Sequence, residues 1–544
     1  MLNKLVFIVF FFYSSMVFAQ LLQDERSYTR ADTLRGALRP ERTNFDVLKY
    51  TLDIKISPKE KFIAGSNTIT FRTIENMAVM QLDLFSNMKV DSIVYQGRHL
   101  KYKREFNAVF ISFKNALDAN VIDSLQFYYS GNPIVAKNPP WDGGFVFSKD
   151  KNGKDFIGVA VQGTGASLWF PNKDHQSDKP EEAEIHLEVP NGLVGVSNGR
   201  LMGLKELSNG FTKWSWKVSQ PINNYNITLN IGDYVRFSDT FQDLDLDFYV
   251  LSYHLDKAKK QFTEVQPMMR CFYEHFGAYP FEEDSYKLVE APFLGMEHQS
   301  AIAYGNNYQL GYDGTDVSLS GIGLKFDFII IHETAHEWFG NSISADDIAD
   351  MWIHEAFTSY AEAVYIECRW GKEDALKYLK GLRSTMISNK EPIIGDYGVN
   401  KEGSVDMYYK GANLLNTVRS IINDDEKWWS LLKSFSETFK HKITNTEEVI
   451  AFFENGTDVS LTPVFEEYLY YAALPTLQMK KEKRNIYYRW ASSVTDFEMP
   501  IDLIVKEKTQ RIYPNQNWQK LKKVRSLKKV KVDVDRFYVH MENL

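Results

Sequence analysis

The chain has 544 residues, of which 44% are apolar and 25% are charged. It is therefore long enough for several domains, and its composition is that of a globular protein, not of a disordered or fibrous one. The formal net charge of -8 argues against a nucleic-acid partner. The basic run from Lys520 to Lys531 alternates with apolar residues, so we interpret it as a solvated strand edge and not as a binding patch.

Residues 1–19 have the pattern of a signal peptide. Lys4 precedes an apolar block, and the segment from Val17 to Ala19 has small residues where a signal peptidase reads. The apolar block is too short to span a bilayer comfortably, and no later stretch approaches a membrane span. We therefore expect cleavage after Ala19, export to the periplasm or the medium, and no stable membrane span in the mature chain. A retained membrane anchor is the alternative.

The hydrophobic pattern changes twice along the mature chain. Segments such as 50–56 and 66–74 alternate apolar and polar residues, as strands do. The segment 373–387 has the period of a helix, and short strand patterns return after Pro475. We predict an α+β multidomain fold with a large N-terminal β domain at 20–240, a central helical domain at 241–473 and a small C-terminal β sandwich at 474–544.

The chain contains two cysteines, Cys271 and Cys368. An exported protein could pair them, because disulfides persist in oxidising compartments. Two cysteines so far apart in sequence give no disulfide framework pattern, however. We therefore interpret them as two separate buried thiols.

The segment "HETAHEWFGN" (332–341) in the helical domain has the pattern of a zinc-hydrolase motif. On a helix, His332 and His336 lie on one face and can present two nitrogens to one metal ion. Glu333 then projects beside the metal, where a carboxylate can accept a proton from water. A catalytic zinc keeps three protein ligands and one open position, and Glu355 on the next predicted helix is the candidate third ligand.

Two further residues lie near this motif in sequence. Glu362 is on the same predicted helix face as Glu355, where it could orient an imidazole. It could equally be an ordinary glutamate on the helix surface. His354 precedes the candidate ligand but is expected to point to another face of the helix, so we leave it out of the metal site.

Four motifs in a fixed order carry a resemblance to a known family. They are "LGMEH" (294–298), "HETAHEWFGN" (332–341), "WIHEAF" (352–357) and "YYKGA" (408–412). At this spacing the chain resembles the gluzincin aminopeptidases, the family of aminopeptidase N and leukotriene hydrolase, over nearly the whole mature sequence. The resemblance implies a thermolysin-like helical catalytic domain, one catalytic Zn²⁺ ion and peptide substrates with a free N-terminus.

The resemblance also implies roles for individual residues. Glu333 would be the general base, and Tyr408 would donate a hydrogen bond to the oxyanion, with the adjacent Tyr409 as the alternative if the motif register is wrong by one. Glu297, which follows Gly295 and Met296 in the exopeptidase motif, would bind the α-ammonium group of the substrate.

The β domain and the exopeptidase motif depart from the family pattern. By resemblance, Gln162 would line the pocket for the first side chain of the substrate. The second amine contact of the family should fall on Thr164, so that contact is expected to be missing. Leu294 and His298 replace the first glycine and the final asparagine of the motif usually written GAMEN. A neutral His298 could partly restore the field beside Glu297, whereas a protonated His298 would weaken amine binding toward acid pH.

By resemblance, we expect the chain to be a short form of the family. We expect it to lack the large C-terminal helical domain that caps the site in many members, which would leave the site more open. A zinc endopeptidase and an epoxide hydrolase are compatible with the same metal ligands, and a catalytically silent peptide-binding module remains a further alternative. The intact Glu333 and Tyr408 argue against the silent module, since peptide binding alone needs neither.

Overall fold

The computed structural model describes residues 27–522, 524 and 526–544. The predicted signal peptide at residues 1–19 lies outside this part of the chain. Two short helices, Arg30–Gly36 and Pro40–Thr43, precede the first strand. No helix among the described residues is long and apolar enough to cross a membrane.

The N-terminal region is a β domain, as predicted. Its strands alternate buried and more exposed positions, and in Phe45–Ser57 the buried face includes Tyr50, Leu52, Ile54 and Ile56. The largest sheet has eight strands in the order Arg200–Glu206, Phe211–Val218, Glu182–Pro190, Phe45–Ser57, Phe62–Thr73, Ile122–Gly131, Met88–Tyr95 and Arg98–His99.

Two smaller sheets complete this domain. One has three strands, in the order Met77–Asp83, Ala108–Leu117 and Lys101–Glu105. The other has four, in the order Val194–Val196, Asn230–Gly232, Asp155–Ala160 and Gly144–Lys149. The strand Asp155–Ala160 ends just before Gln162, so this sheet positions the loop that carries Gln162.

The central domain begins with a five-stranded sheet. Its order is Tyr234–Phe241, Leu244–Leu251, Tyr286–Glu290, Ile302–Tyr304 and Gly295–Met296. The first two strands pair antiparallel, with Phe241 opposite Leu244. The domain boundary that we expected after residue 240 therefore falls inside a hairpin, and the pattern of alternating residues could not show which sheet the hairpin joins.

The helices of this domain follow the sheet. They are Leu255–Gln261, Val265–Phe276, Phe328–Ala335, Trp352–Trp370, Lys372–Thr385, Asp406–Ile422, Asp425–Thr438, Thr446–Asn455 and Thr462–Tyr470. The strands Ser344–Ala345 and Ile443–Thr444 pair in parallel. This pairing joins the segment after the helix Phe328–Ala335 to the segment before the helix Thr446–Asn455. Gly295–Met296 is the edge strand of the sheet. We call the region between this strand, the helix Phe328–Ala335 and the loop of Gln162 the cleft.

The expectation of two separate thiols is wrong, because Cys271 and Cys368 form a disulfide. Cys271 lies on Val265–Phe276 and Cys368 near the end of Trp352–Trp370, and their Cα atoms are 6.1 Å apart. The two helices pack against each other and bring the residues within disulfide reach. Sequence spacing alone could not show this, because the pairing depends on tertiary packing.

The C-terminal region forms the predicted small β sandwich. One sheet contains Gln519–Leu521, Asn485–Ala491, Thr476–Glu482 and His540–Asn543, and the other contains Lys508–Ile512, Ile501–Val505 and Val530–Val532. Its apolar residues are continuous with the core of the helical domain. The basic run includes the edge strand Val530–Val532, with Lys531 exposed, which agrees with its interpretation as a solvated strand edge.

Candidate metal centre and active site

The helix Phe328–Ala335 carries the first histidine of the site. Asp327 caps it, since its carboxylate accepts from the backbone N–H of Ile329 at 3.1 Å and of Ile330 at 3.4 Å. The helix is buried along its whole length. His332 lies in its last turn and His336 is the residue that ends it, so the two rings lie 5.0 Å apart at one end of the helix.

Glu355 reaches the same point from the helix Trp352–Trp370. Its Oε2 atom lies 3.5 Å from His336 Nε2 and 3.9 Å from His332 Nε2. One ligand atom of each of these three residues lies within 4.8 Å of the other two, and all three residues are buried. The structure therefore brings together the three side chains that the sequence analysis paired with zinc.

Both imidazoles are held by their other ring nitrogen. His332 Nδ1 lies 2.7 Å from Glu362 Oε1, and Glu362 accepts from the Tyr378 hydroxyl at 2.7 Å. His336 Nδ1 lies 3.0 Å from the Phe339 carbonyl oxygen. Glu362 is buried, so it orients an imidazole and is not a surface glutamate, and both Nε2 atoms are left facing Glu355.

These residues fit a zinc ion. They offer two imidazole nitrogens and a carboxylate oxygen, which is a donor set of catalytic zinc. Glu355 Oε2 is buried and accepts no hydrogen bond from the described residues. Burial lowers the pKa of His332 to about 3, which keeps that imidazole neutral as a ligand.

The charge balance of the site also favours a cation. Burial alone would lower the pKa of His336, but the carboxylates of Glu355 and Glu297 outweigh burial and raise that pKa to about 10. The surrounding carboxylates thus stabilise positive charge at the position that His336 shares with Glu355. A bound dication would provide that charge.

Glu333 lies beside the three candidate ligands. A carboxylate oxygen of Glu333 and one of Glu297 are within 4.8 Å of each other and of a ring nitrogen of His336. A methyl group added to Gly295 would lie 2.8 Å from Glu333 Oε1, so glycine allows the edge strand to approach this carboxylate closely. Burial raises the pKa of Glu333 well above its ordinary value.

Glu297 extends from the end of the edge strand Gly295–Met296. Its backbone carbonyl accepts from the Asn341 amide at 2.7 Å and from the Asn226 amide at 3.1 Å. Its side chain is 2% exposed, and Oε1 has no hydrogen-bond partner among the described residues. Burial raises the pKa of Glu297 to about 7. Two hydrogen bonds thus hold the backbone of Glu297 in place. Its side-chain Oε1 atom can accept a hydrogen bond from another partner.

The residue after Glu297 has the neutral form of the two that the sequence left open. His298 is fully buried, and neither ring nitrogen has a partner among the described residues. Burial lowers the pKa of His298 to about 3. The imidazole is therefore neutral at ordinary pH, and the expected loss of amine binding toward acid pH cannot come from this side chain.

Tyr408 and Tyr409 begin the helix Asp406–Ile422 and point to different sides. The Tyr408 ring stacks on the His332 ring with centroids 6.3 Å apart, and its side chain is partly exposed. Tyr409 is buried. Burial together with the Glu355 carboxylate raises the pKa of Tyr408 well above its ordinary value, so its hydroxyl keeps its proton. The geometry favours Tyr408 as the phenol of the site.

The β domain contributes Gln162 but not Thr164. The Gln162 side-chain amide donates to Glu355 Oε1 at 3.1 Å. The Thr164 hydroxyl donates to the Asp142 carbonyl at 3.3 Å, and Arg35 binds the carbonyl of Thr164. Thr164 is thus held against its own domain.

His354 lies outside the metal site, as predicted. Its Nε2 accepts from the Ala345 backbone N–H at 2.9 Å. The sequence analysis missed three residues that support the site, namely Asn226, Asn341 and Tyr378. Asn341 is the last residue of the "HETAHEWFGN" motif and could have been found there. The other two reach the site only through the fold.

Known proteins are similar to this chain in sequence and in fold. Residues 254–468 match the model of the Peptidase family M1 domain. Over these residues the chain is similar to peptidase family M1. The matched residues include all three candidate ligands, Glu297 and Tyr408.

Curated relatives share low sequence identity with this chain. It is 20% identical over 415 residues to "Probable aminopeptidase 1" of Saccharolobus solfataricus, covering 72% of this chain and 52% of that protein. It is 22% identical to "Aminopeptidase N" of Escherichia coli, covering 49% of this chain and 32% of that protein. The chain spans about half the length, or less, of the curated relatives it matches.

A solved structure has the same fold. The M1 zinc metallopeptidase of Deinococcus radiodurans superposes with a TM-score of 0.67 at 19% identity, covering 79% of this chain and 95% of that chain. The multidomain α+β fold is thus shared with a protein of this family.

Proposed function

We propose that this chain is a zinc-dependent aminopeptidase that removes N-terminal residues from peptides. Glu297 carries the proposal, because its buried Oε1 has no partner among the described residues and its carboxylate lies beside Glu333 and His336. A carboxylate in that position can pair with a free α-ammonium group and place the first peptide bond at the metal.

The names of similar proteins support the same activity. Curated relatives from Saccharolobus solfataricus and Escherichia coli are named aminopeptidases. A mutant of the metallopeptidase from Deinococcus radiodurans has been crystallised with a Tyr-Ser-Ala substrate. These statements concern those proteins, and they support a peptide substrate for this one.

His332, His336 and Glu355 would hold one zinc ion, which supplies Lewis acidity toward the scissile carbonyl and lowers the pKa of water. Glu333 accepts the proton of the attacking water and later returns it to the leaving amine. Its buried position suits both steps, since burial stabilises the protonated form of a carboxylate.

Tyr408 stabilises the charge that develops on the carbonyl oxygen. Its hydroxyl is protonated, since burial and nearby carboxylates raise its pKa. A phenol hydroxyl in that state donates a hydrogen bond to an oxyanion. The ring is held in place by its stacking on His332, so little reorganisation is needed when charge appears.

The edge strand and the β-domain loop position the substrate. Gly295 and Met296 form the edge of the five-stranded sheet next to Glu333, where an extended peptide can lie. Glu297 at the end of this strand binds the α-ammonium group. Gln162, which reaches Glu355 from the opposite domain, forms the wall beside the first side chain.

We also propose that the protein is exported. The signal-peptide pattern of residues 1–19 supports export. The disulfide between Cys271 and Cys368 agrees with it, because disulfides form and persist mainly in oxidising compartments.

The test is product analysis by mass spectrometry on one unblocked peptide, with and without a zinc chelator. We expect stepwise loss of residues from the N-terminus, abolished by the chelator and restored by added zinc. Internal cleavage would favour the endopeptidase alternative. Binding without any cleavage by the zinc-loaded protein would favour the silent peptide-binding module.

A further inference from the structure

Glu402 is a cleft residue with no role in the mechanism described above. It lies in the segment before the helix Asp406–Ile422 and is half-buried. A methyl group added to Gly163 would lie 3.8 Å from Glu402 Oε2. Gly163 follows Gln162, which donates to Glu355. Glu402 therefore lies at the loop through which the β domain reaches the candidate metal ligands.

The electrostatic neighbours of Glu402 belong to the same cleft. Burial raises the pKa of Glu402, and the Glu355 carboxylate raises it further, whereas Lys401 lowers it. Glu402 in turn is one of the carboxylates that raise the pKa of Tyr408. Both Glu355 and Tyr408 are thus within electrostatic reach of Glu402.

Glu402 has no hydrogen-bond donor and no ion-pair partner among the described residues. Glu297 Oε1 is likewise unpartnered, and it is fully buried. Two carboxylates from different elements therefore have oxygens in one cleft that form no hydrogen bond or ion pair with the described residues. Partly desolvated carboxylates are costly unless a cation or a donor pairs with them.

The β-domain loop beside Glu402, "VQGTG" (161–165), contains no carboxylate of its own. Thr164 stands where the family places its second amine contact, but it is bound to Asp142 and Arg35. Glu297 is then the amine contact that remains from the family motifs. Glu402, which lies against the Gln162 loop, would provide a second carboxylate beside Glu297.

We propose that Glu402 binds a positive charge on the first residue of the substrate. This inference rests on the proposed aminopeptidase activity. The charge is either the α-ammonium group or the ammonium or guanidinium group of an N-terminal Lys or Arg side chain. Both sources make the same charge-assisted hydrogen bond with a carboxylate.

The experiment compares the wild type with Glu402→Gln, which keeps the size of the side chain and removes its charge. Both zinc-loaded proteins are assayed on fluorogenic leucyl, norleucyl, lysyl and arginyl substrates. Loss of one charged contact should lower kcat/KM about ten- to a hundred-fold, mainly through a higher KM. An equal loss on all four substrates identifies the α-ammonium group, whereas a loss confined to lysyl and arginyl substrates identifies the side-chain cation.

Two variants serve as controls. Glu426→Gln removes the same charge from an exposed position of the same domain and should leave all four rates unchanged. Glu402→Asp keeps a carboxylate and should recover part of the loss. Zinc content and Tm are measured for each variant, so that unfolding is not mistaken for weaker binding.

The outcomes separate this inference from the function on which it rests. If the wild type cleaves these substrates and Glu402→Gln stays within about twofold of it on all four, the inference is overturned and the proposed function stands. If the zinc-loaded wild type cleaves none of them, the proposed function is overturned and this inference with it.

Discussion

The metal side and the substrate side of the cleft are built differently. On the metal side, two helices supply the candidate ligands, and each imidazole is fixed through its second nitrogen, by Glu362 for His332 and by Phe339 for His336. On the substrate side, an edge strand and a loop supply Glu297 and Glu402, which have carboxylate oxygens without partners among the described residues.

This difference separates metal binding from substrate binding. A completed hydrogen-bond network fixes the geometry of a metal site before any substrate arrives. Carboxylates without partners contribute when a cationic group enters, so their effect belongs to substrate binding. Substitutions on the metal side should therefore remove zinc or turnover on every substrate, whereas substitutions on the substrate side should change which substrates are cleaved.

The largest effect is expected from the third ligand. Glu355→Ala should reduce zinc from about one ion per chain to near zero and abolish turnover, because a catalytic zinc relies on three protein ligands. Metal analysis of the folded variant measures this. The matched control is His354→Gln, on the same helix but outside the metal site, which should keep its zinc. Full zinc content in Glu355→Ala would show that the ligand assignment is wrong.

Glu333→Gln should separate chemistry from metal binding. It removes the base without removing a ligand, so kcat should fall by a factor on the order of 100 to 10,000 while zinc stays near one ion per chain. Steady-state kinetics on a leucyl substrate, together with metal analysis, measures both. Wild-type turnover in this variant would mean that another residue is the base.

Tyr408→Phe should have the next largest effect on turnover. It keeps the ring that stacks on His332 and deletes the hydroxyl, so kcat should fall about 100-fold or more with little change in KM. Tyr409→Phe is the matched control and should be much milder, since the ring that stacks on His332 is that of Tyr408. If the control is the more damaged of the two, the register of the motif is wrong.

The disulfide should affect stability more than activity. It joins the helix of Glu355 to a neighbouring helix, away from the cleft, so the paired substitution Cys271→Ser with Cys368→Ser should leave kcat/KM nearly unchanged. Removing a native disulfide typically lowers the free energy of unfolding by about 2 to 4 kcal/mol. Denaturant unfolding of the double variant checks the loss. An unchanged unfolding free energy would contradict a stabilising role.

The candidate ligands on the metal side, and Glu297 and Gln162 on the substrate side, were predicted from the sequence, whereas Glu402 was not. His332 and His336 share a face because of helix periodicity within one short motif. Glu355 reaches them from a second helix, and it was predicted from its place in the next motif. The three-domain order was predicted because strands and helices have different hydrophobic periods.

What was missed depends on contacts between distant segments. The Cys271–Cys368 pair results from helix packing, and Glu402 reaches the cleft because its loop packs on the loop of Gln162. The burial that keeps His298 neutral is likewise a property of the folded domain. Local patterns do not encode these contacts.

The central claim is that the enzyme recognises a free N-terminus through Glu297. The most direct test is the rate of cleavage of one peptide in its free and N-acetylated forms, by the wild type and by Glu297→Gln, with zinc content measured in both. We expect the wild type to prefer the free peptide by about ten- to a hundred-fold. We expect Glu297→Gln to keep its zinc and lose that preference. Equal wild-type rates on the two peptides would contradict the aminopeptidase assignment and favour an endopeptidase.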